Sequence, residues 1–401
     1  MSTSGPFDVV VAGRGAVGAA AALGLSQAGL RVAWVGPATA TPTRHTDWDS
    51  RVFALSPGTR DLLRSLRIWD ALPQERITPV YDMRVYAGQH ADAPELHLDA
   101  YRGQVEALAF IIENRTLMTT LEAALRFAGV ATIDDTVADM NCEGSGPAGR
   151  IRLGLGSGQS LTAKLAVAAD GADSTLRSLA GIEAKVTDYP QRAVVANFES
   201  SLPHADTAYQ WFGPDLGVLA LLPLPPVSPD RGRTSMVWSA PTELADELSA
   251  MTDEQLAARV THESNQMLGD LSLITPAHSF ALRLIKVPRL IAPRLVLIGD
   301  AAHAIHPLAG QGMNIGFGDV RQLLDVLKGR EFYRDLADEL LWRRYERARR
   351  EAVSLVQTTT DALQRAFGPL PGPLVGLRDL GWRAVASSGL ARRLLIARAV
   401  Q

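Results

Sequence analysis

The stretch RLVLIGDAAHAIHPLAGQGMNIGFGDV, residues 294–320, decides how this chain folds. It begins with an apolar run, residues 295–299, that predicts a strand buried on both faces. Asp300 follows where this strand ends, and open α/β sheets bind their ligands at that edge. An ionised carboxylate there accepts hydrogen bonds from the hydroxyl groups of a sugar or polyol chain. The stretch therefore predicts a buried strand with a ligand site at its end.

The second half of the stretch predicts a loop and a helix. Pro307 stiffens the loop, and Gly310 and Gly312 allow bare backbone to come close to a flat ligand. A helix is predicted from Met313 onward, and the unpaired N–H groups at its start favour an anion. A purely structural interpretation is the alternative, because a strand, a glycine-rich turn and a helix occur in any α/β protein.

The N-terminal region has another glycine-rich turn, in the order strand, turn, helix, strand. FDVVVA, residues 7–12, predicts the first strand, and residues 31–35 predict the second. Between them, the pattern G-x-G-x-x-G permits a tight turn and the close approach of a pyrophosphate, which the helix start would bind. The candidate residues for binding FAD or NAD are Gly13, Gly15, Ala16, Val17 and Gly18.

An acidic residue that such folds usually carry is absent. An Asp or Glu at the end of the second strand, roughly 20 residues after the glycines, normally holds the adenosine ribose. This chain has Gly36 and Pro37 there. Either Asp47 or Asp49 compensates from the following loop, or the ribose is held more weakly. Arg14 inside the turn is also unusual, and it either contacts a phosphate or faces solvent.

The motifs together resemble the class A flavin-dependent aromatic hydroxylases of the p-hydroxybenzoate hydroxylase fold, and within them the FAD monooxygenases of ubiquinone biosynthesis. GDAAHAIHPLAGQGMNIGFGD, residues 299–319, is similar to the family's second FAD-binding motif. DGADSTLR, residues 170–177, is similar to its Asp-Gly motif, which in relatives touches FAD and contributes to the path of NAD(P)H. Weaker similarity runs through the remainder of the chain.

The resemblance implies a set of residues that contact FAD. Arg51 matches a family arginine that reaches the cofactor, although the chemistry alone equally allows a surface arginine near a helix cap. Asn114 or Arg115 is implied beside the flavin phosphate or ribityl chain. The central stretch is implied to place Pro307 beside the flavin ring. The other implied FAD contacts are Asp170, Gly171, Gly299, Asp300 and Gly310, with backbone donors to the pyrimidine edge at Gly312, Met313 and Asn314.

The fold class implied is α/β, with a Rossmann-like FAD-binding domain, an inserted β-sheet-rich substrate domain and a helical C-terminal tail. The predicted boundaries are 1–75, 100–180 and 281–350 for the FAD-binding domain, 76–99 and 181–280 for the substrate domain, and 351–401 for the C-terminal segment. Short apolar β runs and a helical pattern at residues 242–268 fill the substrate domain. Any single apolar residue there is more readily explained as sheet core than as substrate wall, but their summed apolar character suits a lipid-tailed phenol.

Two charged segments lie near the C-terminus. Residues 331–357 mix both charges at helical spacing and predict a solvated helix face. In residues 361–401, six arginines stand against two aspartates amid Leu, Trp and Ile. A basic amphipathic helix of this kind rests on an anionic membrane surface, or docks on the protein's own body or on a partner in a biosynthetic complex.

Composition excludes several other classes of protein. A net charge of −3 and a pI near 6.3 give no electrostatic footprint for nucleic acid. The single Cys142 excludes an internal disulfide, and His303 and His306 lack the further ligands of a metal site, so no metal is predicted. Neither a membrane-spanning run nor a secretory leader is recognisable, which predicts a cytoplasmic protein, with a peripheral position at the inner face of the membrane still open.

The chemistry implied by the resemblance is aromatic hydroxylation. In this family, NAD(P)H (NADPH or NADH) reduces FAD, O2 adds at the flavin C4a, and the hydroperoxide transfers one oxygen to an electron-rich phenol. The implied substrate is a polyprenylated phenol of ubiquinone biosynthesis, and no catalytic base is assigned. Two alternatives are a flavin hydroxylase for another aromatic compound and a weakly FAD-binding accessory subunit of a biosynthetic complex. In the second alternative, Gly36 in place of the usual acid would explain the weak FAD binding.

Overall fold

The structure is a computed structural model that describes residues 6–38, 48–88, 93–144, 146–305 and 311–367, together with Trp382 and Ser388. Within these residues the fold is α/β, which confirms the predicted class. The strands are β1 (Phe7–Ala12), β2 (Val32–Gly36), β3 (Val52–Leu55), β4 (Ile77–Val80), β5 (Asp82–Tyr86), β6 (Glu95–Asp99), β7 (Ala109–Glu113), β8 (Ala131–Asp134), β9 (Val137–Glu143), β10 (Arg150–Leu155), β11 (Ser160–Ala168), β12 (Lys185–Ser200), β13 (Thr207–Gly213), β14 (Gly217–Ser228), β15 (Arg231–Pro241), β16 (Leu271–Leu273), β17 (His278–Lys286), β18 (Ile291–Ala292), β19 (Leu295–Leu297) and β20 (His303–Ala304). The helices are α1 (Ala16–Gln27), α2 (Pro57–Ser65), α3 (Ala100–Gly103), α4 (Asn114–Phe127), α5 (Thr175–Leu179), α6 (Thr242–Ala250), α7 (Asp253–Glu263), α8 (Gln311–Lys328) and α9 (Glu339–Phe367).

One sheet has the parallel core that the N-terminal glycine turn predicts. Its strands lie in the order β18, β19, β11, β1, β2, β8, and those from β19 to β8 run parallel. The glycine-rich residues 151–169 predict a hairpin because no helix pattern follows the glycines, and they form the antiparallel pair β10 and β11. Helix α1 buries a run of alanines at its centre, and because their side chains are small it packs closely against this sheet.

The central stretch passes from this sheet to a second one. Strand β19 ends at Leu297, two residues earlier than predicted, because Gly299 turns the chain with φ +58° into a short 3-10 turn, Gly299–Ala301. The chain then forms β20, which pairs with β17 at the edge of the second sheet. The helix predicted from Met313 is confirmed as α8 and starts at Gln311.

The second sheet has nine strands in the order β20, β17, β12, β15, β14, β13, β5, β6, with β16 beside β12. The short β runs predicted for the substrate domain are confirmed as parts of longer strands. The helical pattern of residues 242–268 forms two helices, since Thr252 caps the start of α7 through a capping box with Gln255. Strand β17 crosses the predicted boundary at residues 280 and 281, and the domain boundaries remain a prediction.

The helix predicted at residues 331–357 starts later than predicted, and its charged face is solvated as predicted while the opposite face is buried. The helix begins only at Glu339, because Arg334 pairs with Glu331 and Asp338 in the preceding turn. One face of α9 is buried, and its Tyr345 hydroxyl donates to the carbonyl of Leu297 at 2.9 Å. The predicted helical tail is confirmed as far as Phe367, and beyond it only Trp382 and Ser388 are among the described residues. None of the helices in the described residues is long and apolar enough to cross a membrane.

Candidate flavin site

The first glycine turn is tightly packed at Gly13 and Gly18 but open at Gly15. A Cβ at Gly13, which has φ +116°, would lie 1.9 Å from the carbonyl oxygen of Ala169, and a Cβ at Gly18 would lie 2.2 Å from the Gly13 oxygen. A Cβ at Gly15 would instead meet nothing within 4 Å. Helix α1 starts at Ala16 without a capping side chain, so its first N–H groups face this open side unoccupied by a side-chain oxygen. The turn thus fits the pyrophosphate of FAD.

Val17 joins this turn to the central stretch. A Cβ at Gly299 would lie 3.3 Å from Cγ1 of Val17, and a Cβ at Gly316 would lie 2.7 Å from its Cγ2. Both positions therefore need glycine in order to accept the valine side chain. The two motifs, about 280 residues apart in the chain, are in direct contact, so one dinucleotide can reach both.

Asp300 is the middle residue of the 3-10 turn, reaches the surface, and is close enough to Arg51 for the two charges to interact. Partial burial raises the pKa of the Asp300 carboxyl, while the charges of His303 and Arg51 act in the opposite direction. Arg51 is itself exposed at the start of β3. The pair offers a hydrogen-bond acceptor and a cation at one edge of the sheet, which suits the hydroxyl groups and phosphate of a ribityl phosphate chain.

The side chain of Asn314 is committed to protein contacts. Its Oδ1 accepts hydrogen bonds from the backbone N–H of Ser56 at 2.9 Å and the hydroxyl of Thr59 at 2.8 Å, and its Nδ2 donates to the carbonyl of Ala54 at 2.8 Å. It therefore fixes the start of α8 against the segment that follows Arg51. At Gly312, the nearest atom to a Cβ would be 4.0 Å away. Pro307 and Gly310 lie outside the described residues.

The Asp-Gly motif braces the central stretch. Asp170 accepts hydrogen bonds from the Ser174 hydroxyl at 2.5 Å and the Leu176 N–H at 3.1 Å, and Gly171 turns the chain with φ +86°. Arg177 is buried and donates to the carbonyl of Ala301 at 3.0 Å. The motif thus holds the turn that contains Asp300 through the Ala301 carbonyl. Its direct contact with FAD remains a prediction.

Asn114 and Arg115 begin α4 next to Arg51. The N–H of Asn114 donates to the carbonyl of Arg51 at 2.9 Å, and the N–H of Arg115 donates to Asp49 at 3.0 Å. The carboxylate of Asp49 also accepts from the N–H of Arg51, at 3.0 Å. Asp49 is therefore occupied within the protein, which argues against its holding the ribose in place of the missing acid. Asp47 lies outside the described residues.

A buried charged network under the site was not foreseen from the sequence. Asp319 on α8 is fully buried, and its carboxylate receives hydrogen bonds from the Gly299 N–H at 2.7 Å and Arg349 Nε at 2.6 Å. Nε2 of His303 lies 2.7 Å from the same carboxylate. One signal was available, because Asp319 falls on the apolar face of the predicted helix, four residues before Leu323. Arg349 stands among many other arginines and gave no such signal.

Comparison with known proteins gives a family match, curated relatives and solved structures. The family described as FAD binding domain matches residues 6–360. Ubiquinone hydroxylase UbiL of Rhodospirillum rubrum is 31% identical over 401 residues, covering 98% of this chain and 89% of the relative. The 3-demethoxyubiquinol 3-hydroxylase of Escherichia coli is 30% identical over 406 residues, covering 98% and 97%. The p-nitrophenol 4-monooxygenase PnpA of Pseudomonas putida has a similar fold, with a TM-score of 0.74, 17% identity and 98% of both chains covered.

Proposed function

Because the chain belongs to the FAD binding domain family of flavin-dependent monooxygenases, we propose that it hydroxylates the aromatic ring of a polyprenylated phenol in ubiquinone biosynthesis. O2 supplies the oxygen atom and NADPH or NADH supplies the electrons. The observation that carries the proposal is the similarity, over nearly the full length of the chain, to two hydroxylases whose names give ubiquinone or a ubiquinol as the compound concerned. The likeness to PnpA supports the fold alone.

Each part of the site has a proposed task toward FAD. Bound FAD would supply the activation of O2 and the transfer of one oxygen atom. The open side at Gly15 and the start of α1 bind the pyrophosphate. Asp300 accepts hydrogen bonds from the ribityl hydroxyls, and Arg51 pairs with the phosphate. The first turn of α8, at Gly312 and Met313, offers backbone N–H groups to the electron-rich edge of the flavin.

The substrate is proposed to lie against one face of the nine-stranded sheet. In β14, Leu219 and Leu221 pack into the cluster with α6 and α7, whereas Val218 and Leu222 point to the other face. That other face forms an apolar cluster with Val52 and Ala54 of β3, the strand that follows Arg51. An apolar wall next to the flavin site suits a phenol ring with a prenyl chain, and it excludes water from the reacting ring.

The C-terminal segment has two proposed partners. Trp382 packs against the same apolar cluster, which supports docking of the segment on the protein's own body at that residue. A prenylated substrate resides in a membrane, so we also propose that the arginines of residues 361–401 make peripheral contact with anionic lipid. Co-sedimentation of the full chain with vesicles containing anionic lipid tests this contact, and equal binding to neutral vesicles would contradict the assigned role of the arginines.

The reaction is tested with the purified protein loaded with FAD. NADPH or NADH oxidation is followed with a prenylated phenol and with the same phenol lacking its prenyl chain, and the product is analysed by mass spectrometry under ¹⁸O2. The proposal predicts that the prenylated compound stimulates oxidation and gains one ¹⁸O atom. Stimulation by the soluble phenol alone would favour the other-substrate alternative. Absence of oxidation with every phenol, despite FAD binding, would favour the accessory subunit.

A further inference from the structure

The end of β2 is built around a glycine where dinucleotide-binding folds place an acid. Gly36 is the last residue of β2 and is buried. A Cβ at this position would lie 2.8 Å from Cγ of Arg14 and 3.1 Å from the Arg14 backbone nitrogen. The side chain of Arg14 therefore occupies the space that a ribose-binding Asp or Glu would need, so the missing acid and the unusual arginine belong to one arrangement.

Arg14 is held at this place by its neighbours. Its guanidinium carbon lies 4.8 Å from the centre of a Trp34 ring, and its side chain is only 13% exposed. Trp34 in turn donates from Nε1 to the carbonyl of Gly13 at 2.9 Å. Nε of Arg14 is buried and has no hydrogen-bond partner in the part of the chain that the structure describes. Arg14 is therefore fixed beside the glycine turn with donor capacity left over.

A carboxylate stands next to Arg14 on the neighbouring strand. Asp134, the last residue of β8, is the register partner of Gly36 in the parallel pair β2 and β8. Its Oδ1 lies 3.9 Å from Nη1 of Arg14, which is longer than a hydrogen bond, and its side chain is 63% exposed. Oε1 of Glu122 lies 3.9 Å from Nη2 of the same guanidinium. A donor and an acceptor side by side match the needs of a vicinal diol, whose hydroxyls both accept and donate.

We propose that Arg14 and Asp134 together hold the adenosine ribose of FAD, in place of the acid that β2 lacks. The ribose hydroxyls would donate to the Asp134 carboxylate and accept from the Arg14 guanidinium. This inference rests on the FAD binding that the proposed function requires. Since FMN has the flavin and a phosphate but no adenosine, a comparison of the two flavins separates the ribose contact from flavin binding as a whole.

The test measures the dissociation constants of FAD and FMN by equilibrium quenching of flavin fluorescence. Asp134→Asn keeps the oxygen that accepts the Ala38 N–H but removes the charge, and Arg14→Met keeps the stem over Trp34 but removes the guanidinium. Each change is expected to weaken FAD binding about tenfold or more, as for loss of a hydrogen bond to a charged group, and to leave FMN binding unchanged. Asp139→Asn is the control, because that carboxylate is 60% exposed and also lies near an arginine, and it should change neither constant.

A second pair of variants tests the shared space. Gly36→Glu alone is expected to weaken FAD binding, because the new side chain collides with Arg14. In the Arg14→Ala background, the same Glu takes up the usual ribose-binding position and should restore FAD affinity toward that of the wild type. The proposal is overturned if the Arg14 and Asp134 variants bind FAD like the wild type, or if they weaken FAD and FMN by the same factor. Absence of FAD binding by the wild type would instead contradict the proposed function.

Discussion

Nε2 of His303 lies 2.7 Å from Oδ2 of Asp319, and both side chains are buried beneath the turn that carries Asp300. The same carboxylate is bonded to the backbone of Gly299 and to Arg349 on α9. One buried anion therefore holds together two helices and the end of β19. Geometry at the flavin site depends on it, although Asp319 itself lies below the surface that a ligand would contact.

Replacing Asp319 by Asn should destabilise the protein strongly. The change leaves the Arg349 cation buried without its counter-charge, and breaking a buried ion pair on one side costs about 3–5 kcal/mol. The free energy of unfolding is measured with chemical denaturant. The matched control is Asp325→Asn, an exposed position on the same helix, where a change within about 0.5 kcal/mol is expected. Equal effects of the two substitutions would contradict the role of the network.

Stability should fall at acid pH partly through Asp319. Burial acts to raise the pKa of this carboxyl, but His303, Arg349 and the Gly299 N–H outweigh it and hold the pKa below the ordinary value of 3.8. The ionised group thus contributes stability above that value and loses it as the pH falls through the lower folded pKa. Unfolding measured at a series of pH values should show a steeper acid loss in the wild type than in Asp319→Asn. Parallel curves would be inconsistent with this account.

Asp300→Asn should have the opposite effect on stability. Because burial raises the pKa of Asp300, its ionised form is less stable in the folded chain than in the unfolded chain at neutral pH. The Asn variant without FAD should therefore unfold at the same temperature as the wild type or a higher one. FAD affinity should drop about tenfold or more, since a hydrogen bond to a charged group is lost. A lowered melting temperature with unchanged FAD affinity would show that Asp300 is structural.

The two glycines of the first turn should respond differently to alanine. At Gly15 the backbone has φ −82° and a Cβ meets nothing, so Gly15→Ala should leave the stability of the protein without FAD unchanged but block the pyrophosphate. At Gly13 the Cβ collides with the carbonyl of Ala169, and we expect a loss of at least about 2 kcal/mol. Thermal melting without FAD and FAD titration of each variant separate the two effects. Similar melting temperatures for both variants would argue against the turn geometry described here.

Local requirements made much of the fold predictable. The spacing of the glycines from Gly13 onward is the one that a tight turn between a strand and a helix needs. The structure has this turn, with the predicted strands before and after it. The same holds for the hairpin of β10 and β11 and for α8, whose periodic apolar residues mark a buried helix face. The contact between the first glycine turn and the central stretch through Val17 was not predicted, because spacing along the chain does not report distance in space.

Interactions between distant charged residues were not predictable. Arg349 pairs with Asp319 across 30 residues, and nothing near Arg349 in the sequence distinguishes it from its neighbouring arginines. The start of α9 was predicted too early. Glu331 and Arg334 form an ion pair in the turn before the helix, and their spacing in the sequence also fits a helix. Gly36 could be recognised as a departure, but its cause became visible only when Arg14 was found in the space beside it.

The most direct measurement for the central claim is an equilibrium titration of the wild-type protein, freed of flavin, with FAD. The claim is that the turn at Gly15 and the turn at Asp300 hold the same FAD molecule. It predicts saturable binding of one FAD per chain, weakened by Gly15→Ala and by Asp300→Asn while both variants keep the wild-type fold by circular dichroism. Wild-type protein that does not bind FAD, or folded variants that both bind it as tightly as the wild type, would contradict the claim.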